Sequence, residues 1–400
     1  AGFMRIALCN ALYTTPEAPY TFGGAEVFVR QLAEALVAGG DEVIVLRAAL
    51  EGGRRSETVN GVTVHFLPIR NLYPPFQDRK NPLMRMAWHA IDDRGHAPEG
   101  VAEILGAFRP EVFHSHTLNG LSTEVWEIAR GLGIPVLHTM HDYYLTCPRC
   151  TRFKAGQSCT ATCRTCDLLT RRRRQRTCHL SAVTGVSART LEIHHHHHAL
   201  SADIPAHVVR NVPNPAITLA APPMPQTGLK VGYIGRFSEE KGVHLLVEAV
   251  GRLPAGAVEL RLAGRVTPEE EARLRALAPN ARLTFLGFVA PMGFYESVDL
   301  TVVPSLWEEP AALVVQDSLA AGRPVLGSRM GGTPESIEPG VTGWIVEPTV
   351  AALTDQLQQL IDAPSQVTQA YEALTTRSQS RRTFADLLED YRRVYRSLSN

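Results

Sequence analysis

The sequence is poor in the features that mark membrane-spanning or nucleic-acid-binding chains. No apolar run reaches the roughly 18 residues that a bilayer-spanning helix needs, and the start of the chain lacks the basic-then-apolar layout of a secretory leader. A cytoplasmic location is the resulting expectation. Neither sign of charge dominates: Lys and Arg total 40 and Asp and Glu total 40 over 400 residues. That balance removes the global field that draws in a polyanion, so any charge-based partner must be met locally. No aromatic residue interrupts the basic stretch Thr170 to Thr177, which argues against a nucleic-acid-binding arm there.

What is present is globular. Apolar residues make up 44% and charged residues 20% of the chain, and the length exceeds what one core organises, so two domains are expected. Met4–Cys9, Glu42–Leu46, Val62–Leu67, Val112–His114 and Ile134–His138 read as buried strands separated by helical stretches. The pattern restarts at Leu229–Gly235 and continues through Glu259–Leu262, Leu283–Leu286, Leu300–Val303 and Pro324–Leu326. Alternating strands and helices predict an α/β fold with two doubly wound, Rossmann-like domains, and a ligand is expected in a cleft that the strand ends face. The domains are placed at 4–215 and 216–380, joined through the Pro- and Gly-rich stretch 211–228. A closing amphipathic helix is placed over 381–400. Ala1 to Phe3, ahead of Met4, read as an expression remnant.

Three features suit phosphate and sugar. Gly23 and Gly24 open a helix, where free N–H groups and the positive dipole end attract an anion. Gly235 to Gly242 delivers Arg236 and Lys241 from a strand end and the next helix start, a pair able to clamp a diphosphate. In Ser305 to Gly322, Pro310 suits the first helical turn and Gly322 the C-terminus. Glu309 then stands at the helix mouth and Asp317 two turns further in, both acceptors for hydroxyl donors.

In order along the chain, Gly23-Gly-Ala-Glu26, Phe113-His-Ser-His116, Gly235-Arg236 with Lys241-Gly242, Glu309 with Asp317, Ala320-Ala-Gly-Arg-Pro-Val325 and Gly331-Gly-Thr-Pro-Glu335 with Gly343 resemble the GT-B glycosyltransferases of family 4. The resemblance implies a retaining transferase that moves a sugar from a nucleoside-diphosphate donor to an acceptor hydroxyl, without a catalytic metal and without an assigned protein nucleophile. It implies that Gly24 offers its N–H to the diphosphate, that Arg236 and Lys241 neutralise the leaving group, that Glu309 holds sugar hydroxyls, that Asp317 holds the ribose and that His116 lies beside the donor sugar. The N–H groups around Ala312, Leu313 and Val314 would face phosphate. Two departures stand out: Asp317 replaces the family's second Glu, and Ala311-Ala312 replace its Phe-Gly. A sugar-nucleotide epimerase and a non-catalytic sugar-nucleotide sensor remain as alternatives, with a zinc-ribbon nucleic-acid binder as a more distant one.

Six of the seven cysteines fall between Cys147 and Cys178. Cys147-Pro-Arg-Cys150 and Cys163-Arg-Thr-Cys166 have the spacing of a structural zinc site, with Cys159 able to replace one member. Disulfides, an iron–sulfur cluster or free thiols are the alternatives. The preceding His141-Asp-Tyr-Tyr144 resembles a segment of a subset of the family that carries a cysteine-containing insert on the acceptor side. Arg171, Arg172, Arg173 and Arg174 read as a solvated face or as a peripheral contact with membrane head groups. His194 to His198 read as a solvated helix turn.

Overall fold

The computed structural model describes residues 3–18, 23–77 and 81–399; Ala1 and Gly2, read above as an expression remnant, lie outside them. The chain divides into two compact units, one of residues 1–151, 160–209 and 388–400, the other of residues 152–159 and 210–387.

In the first unit β1 (Arg5–Cys9), β2 (Glu42–Ala49), β3 (Arg55–Val59), β4 (Val62–Pro68), β5 (Val112–Ser115) and β6 (Val136–Met140) precede the hairpin strands β7 (Phe153–Lys154) and β8 (Gln157–Ser158) of the second unit. β9 (Ala182–Gly185) and β10 (Ala206–Val208) complete the first sheet, in the order β10-β9-β6-β5-β1-β2-β4-β3. All pairs are parallel except β3 with β4. The central strands β5 and β6 are buried along their whole length because helices cover both faces, and the polar residues they carry, such as His114 and Thr139, bond one another. β3, Arg-Ser-Glu-Thr-Val, carries charge instead, which suits a sheet edge that must not pair with another chain. Val101, Leu105, Val125 and Trp126 from flanking helices pack with Ala7, Leu46, Phe113 and Val136 of the sheet in one core.

The second unit holds β11 (Leu229–Ile234), β12 (Val258–Ala263), β13 (Arg282–Gly287), β14 (Leu300–Val303), β15 (Val325–Ser328) and β16 (Gly343–Val346), all parallel in the order β13-β12-β11-β14-β15-β16. Val243, Leu246, Val247 and Val250 on one stripe of the helix Val243–Gly251 close its core. The stretch after Arg210 is held by the second unit: Asn214 N–H donates to Asp317 Oδ1 at 2.8 Å, and Arg323 donates to Ala221 O at 2.8 Å.

The order of the parallel strands reverses between β1 and β5 in the first unit and between β11 and β14 in the second. Ligands of doubly wound sheets bind outside the carboxyl ends at such points. The loops leaving those strands carry Gly23, His116, Arg236, Lys241 and Glu309.

Candidate active site

In the second unit two loops meet at the switch point. Gly242, at φ +71°, ends the first loop, and a Cβ there would come within 2.0 Å of Pro304 O, so only glycine lets the loops close. Leu306 N–H then donates to Glu240 O at 2.8 Å. This brings Lys241 Nζ to 2.5 Å from Glu309 Oε1, while Ser305 Oγ donates to Glu309 Oε2 at 2.5 Å. Glu309 is only 6% exposed. Burial pushes its carboxyl up, but the charge of Lys241, the hydrogen bonds from Lys241 and Ser305 and the nearby Arg236 outweigh it, and the net shift is downward. The carboxylate is therefore ionised at neutral pH. Lys241 also lies 5.5 Å from the centre of the Trp307 ring. Arg236 follows Gly235 at the end of β11 with its side chain 68% exposed, anchored by Glu240 at 3.6 Å.

Gly331 and Gly332 explain themselves here. A Cβ on Gly331, at φ +57°, would strike the Glu309 backbone at 2.0 Å. Gly331 N–H donates to Glu308 Oε2 at 2.6 Å and Gly332 N–H to Glu309 O at 2.8 Å. The paired glycines thus brace the acidic loop from behind.

The helix after Glu309 begins later than the sequence suggests. It spans Leu313–Ala320 with Ala312 as its N-cap, and Pro310 lies ahead of it. No side chain caps this end, so the first N–H groups, those of Leu313 and Val314, lack intrahelical acceptors. Asp317 sits inside the helix with one oxygen taken by Asn214, and burial pushes its carboxyl up to about 6 despite that bond.

In the first unit Gly23 caps the helix Gly24–Ala38 without a side chain, and a Cβ at Gly23 would meet open space. One turn along, Phe28 packs its ring 5.9 Å from His116 and 5.3 Å from His141. Phe28 stands about 6 Å along the helix axis from Gly24. His116 follows β5 and His141 follows β6, neighbouring parallel strands, so both rings emerge at the same end of the sheet. His116 Nδ1 and His141 Nε2 are 3.0 Å apart, one donating to the other. His116 Nε2 is buried and has no hydrogen-bond partner among the described residues. Below this pair His114 bonds to Tyr395 and Thr139, each at 2.7 Å. Burial, reinforced by the neighbouring histidines, holds His116 well below the usual imidazole range, and burial brings His141 down to about 4. Both are neutral at pH 7.

The comparisons with known proteins agree with this geometry. The pattern "Glycosyl transferase 4-like domain" matches residues 23–215, and "Glycosyl transferases group 1" matches residues 228–363. The chain belongs to the group 1 glycosyltransferases. A D-inositol 3-phosphate glycosyltransferase of Arthrobacter sp. is 28% identical over 97% of this chain and 94% of its own. An uncharacterised 42.6 kDa protein of the cps region of Klebsiella pneumoniae is 29% identical over 83% of this chain and 87% of its own. Sucrose-phosphate synthase from Thermosynechococcus elongatus has the same fold, with a TM-score of 0.75 at 20% identity over 99% of each chain. So does Anabaena HepE in complex with UDP and glucose, at 0.69 and 18% over 98% of this chain and 100% of that one. The fold is GT-B.

In this glycosyltransferase the basic run is a solvated face only at Arg171 and Arg172. Arg173 is fully buried, its guanidinium 3.4 Å from Asp92 and 3.3 Å from Asp93 and 3.8 Å from the centre of the Tyr144 ring. Arg174 bonds Asp167 at 2.5 Å. Only Arg171 and Arg172 of the four are exposed. The run packs because the helix Arg164–Arg176 lies on Pro82–Arg94, whose paired aspartates need a cation once buried. His194 is likewise buried, donating Nδ1–H to Thr190 O at 2.7 Å and stacking on Tyr143.

Among the described residues no three His, Cys, Asp or Glu side chains stand at metal-ligating separations. The Cys166 thiol meets Cys147 and Cys163, whereas Cys150 turns to Asp142 and to Asn119 Nδ2 at 3.7 Å. Cys159 belongs to the hairpin segment grouped with the second unit, its N–H donating to Arg152 O at 2.7 Å. Cys147, Cys163 and Cys166 thus share contacts, while Cys150 has other partners.

The sequence reading named His141 only as part of the insert segment and missed its place beside His116. A signal was available, since each histidine is the first residue past one of two neighbouring strands.

Proposed function

We propose that this glycosyltransferase takes its sugar from a nucleoside-diphosphate donor and passes it to an acceptor hydroxyl with retention of anomeric configuration. The observation that carries the reading is the Lys241–Glu309–Ser305 arrangement, a buried carboxylate held ionised beside two cations at a strand switch point. Lys241 and Arg236 neutralise the diphosphate as the bond from the anomeric carbon to its oxygen breaks, and the N–H groups of Leu313 and Val314 add to that stabilisation. Glu309, fixed at both oxygens, accepts hydrogen bonds from sugar hydroxyls. A carboxylate so restrained suits positioning better than displacement, which favours a front-face route. There the acceptor oxygen bonds to the anomeric carbon on the face the diphosphate leaves, and the acceptor proton passes to the departing diphosphate oxygen. Neutral His116 turns its free Nε2 to a sugar hydroxyl and is oriented by His141. Asp317 offers its second oxygen to the ribose. The UDP and UDP-glucose complexes of HepE make UDP-glucose the first donor to try.

The test is a thermal-shift screen of UDP-, GDP-, ADP- and dTDP-sugars followed by product analysis with acceptors. A donor at 100 times its dissociation constant adds about 2.7 kcal/mol, a rise of about 5–10 °C for units of this size. Transfer with retained configuration is expected for the protecting donor. Protection by none of them, an inverted product, or epimerised sugar without acceptor would overturn the reading.

A further inference from the structure

The segment Arg152–Cys159 interrupts the first unit in sequence but groups with the second. It is a tight hairpin: Phe153 pairs with Ser158 and Lys154 with Gln157, around Ala155 at φ +51° and Gly156 at φ +77°, the two-residue turn that suits strand twist. Arg152 is buried at its base and bonds the Cys159 carbonyl at 3.3 Å, so the hairpin is a defined object rather than a loose loop. Its contacts fall on both site loops. Ser158 Oγ donates to Leu306 O at 3.2 Å, the carbonyl of the residue after Ser305. A Cβ on Gly156 would stand 3.3 Å from Glu239 Oε1, two residues before Lys241.

We infer that this hairpin is part of the donor site, and that Ser158 is a positioning residue that fixes the Ser305–Glu309 loop for the sugar. The inference rests on the donor reading above. Glu309 reaches the sugar from the loop that Ser158 holds, and Ser305 restrains one Glu309 oxygen from the residue next to Leu306. The phosphate grip comes from Arg236 and Lys241 on the other loop, which the hairpin approaches at Gly156 beside Glu239. Loosening Ser158 therefore affects recognition of the sugar and spares the diphosphate.

The experiment measures affinities of wild type, Ser158→Ala and Ser158→Thr for UDP, GDP, ADP and dTDP and for the corresponding glucose derivatives, with unfolding midpoints alongside. Ser158→Ala is expected to weaken the sugar nucleotide about 3- to 10-fold, the usual effect of one hydrogen bond, with the nucleoside diphosphate changed less than about 2-fold. Ser158→Thr, which keeps the hydroxyl, restores binding. Equal weakening of both ligands, or no change in either, overturns the role of Ser158. Failure of the wild type to bind any of the eight overturns the donor reading itself, and the inference with it.

Discussion

Replacing Glu309 by Gln keeps the shape of the side chain and removes its charge. That charge meets Lys241 Nζ and Ser305 Oγ, each at 2.5 Å, in a residue 6% exposed. Charge-assisted hydrogen bonds contribute about 1.5–3 kcal/mol and neutral ones about 1 kcal/mol, so two weakened bonds cost about 1–3 kcal/mol. The lower half of that range is expected because the Lys241 side chain remains 20% exposed and water screens the pair. At about 2–4 °C per kcal/mol the unfolding midpoint falls by about 2–8 °C at pH 7. The pH dependence has a definite sign. The Glu309 carboxyl sits below its ordinary range, so its stabilisation is complete above the ordinary carboxylate pKa of about 4.3 and is lost as pH falls through the lower folded value. The stability gap between wild type and Glu309→Gln should therefore close in acid. Turnover should fall at least about 100-fold, the usual size of an electrostatic term at a reacting centre. Chemical denaturation from pH 3 to 7 and steady-state transfer by both proteins check this. Wild-type turnover, or a gap that widens as pH falls, refutes the reasoning.

Further outcomes follow from the same geometry. Lys241→Ala should lower turnover at least about 100-fold, measured beside circular dichroism to show that the fold survives. Asp317, raised to about 6, should make nucleotide affinity weaken as pH falls below about 6 in the wild type and not in Asp317→Asn, as titration calorimetry from pH 5 to 8 would show. His116 and His141, both neutral at pH 7, should add no inflection to the rate profile between pH 6 and 8, and His141→Phe should reduce turnover more than donor affinity. Arg173→Ala strands Asp92 and Asp93 in the core and should cost about 3–5 kcal/mol, whereas Arg171→Ala and Arg172→Ala should stay within about 0.5 kcal/mol in urea unfolding.

The parts of this molecule that sequence reveals are those set by local chemistry. Leu300–Val303, Leu-Thr-Val-Val, reads as a strand because a short run of apolar and β-branched residues suits a buried parallel sheet, and it is one. The Arg236–Lys241 loop is legible because glycines and cations stand between a strand and a helix. Edge strands β3 and β10 carry no such signal: β3 is polar and largely exposed, and β10 is three exposed residues. The start at Leu313 rather than Pro310 escapes for a different reason: Glu309 must hold an extended loop to reach Lys241, and that tertiary demand overrides the preference of proline for a first helical turn.

The basic run shows the limit most sharply. Four adjacent arginines have no period, so nothing local says which one turns inward. The answer lies about 80 residues upstream, where Asp92 and Asp93 end a helix with both carboxylates buried. Two buried acids require a cation that cannot lose its proton, and although the backbone N–H groups of Arg172 and Arg173 both donate to Asp93, at 3.0 and 2.9 Å, Arg173 is the member of the run whose guanidinium meets both acids. Arg171 and Arg172 then remain on the surface by the turn of the helix. The same compositional feature is thus a structural ion cluster at one residue and free surface charge at its neighbours. Any contact of this face with anionic head groups must be argued from Arg171 and Arg172 alone, because moving Arg173 outward would leave two acids buried without their partner.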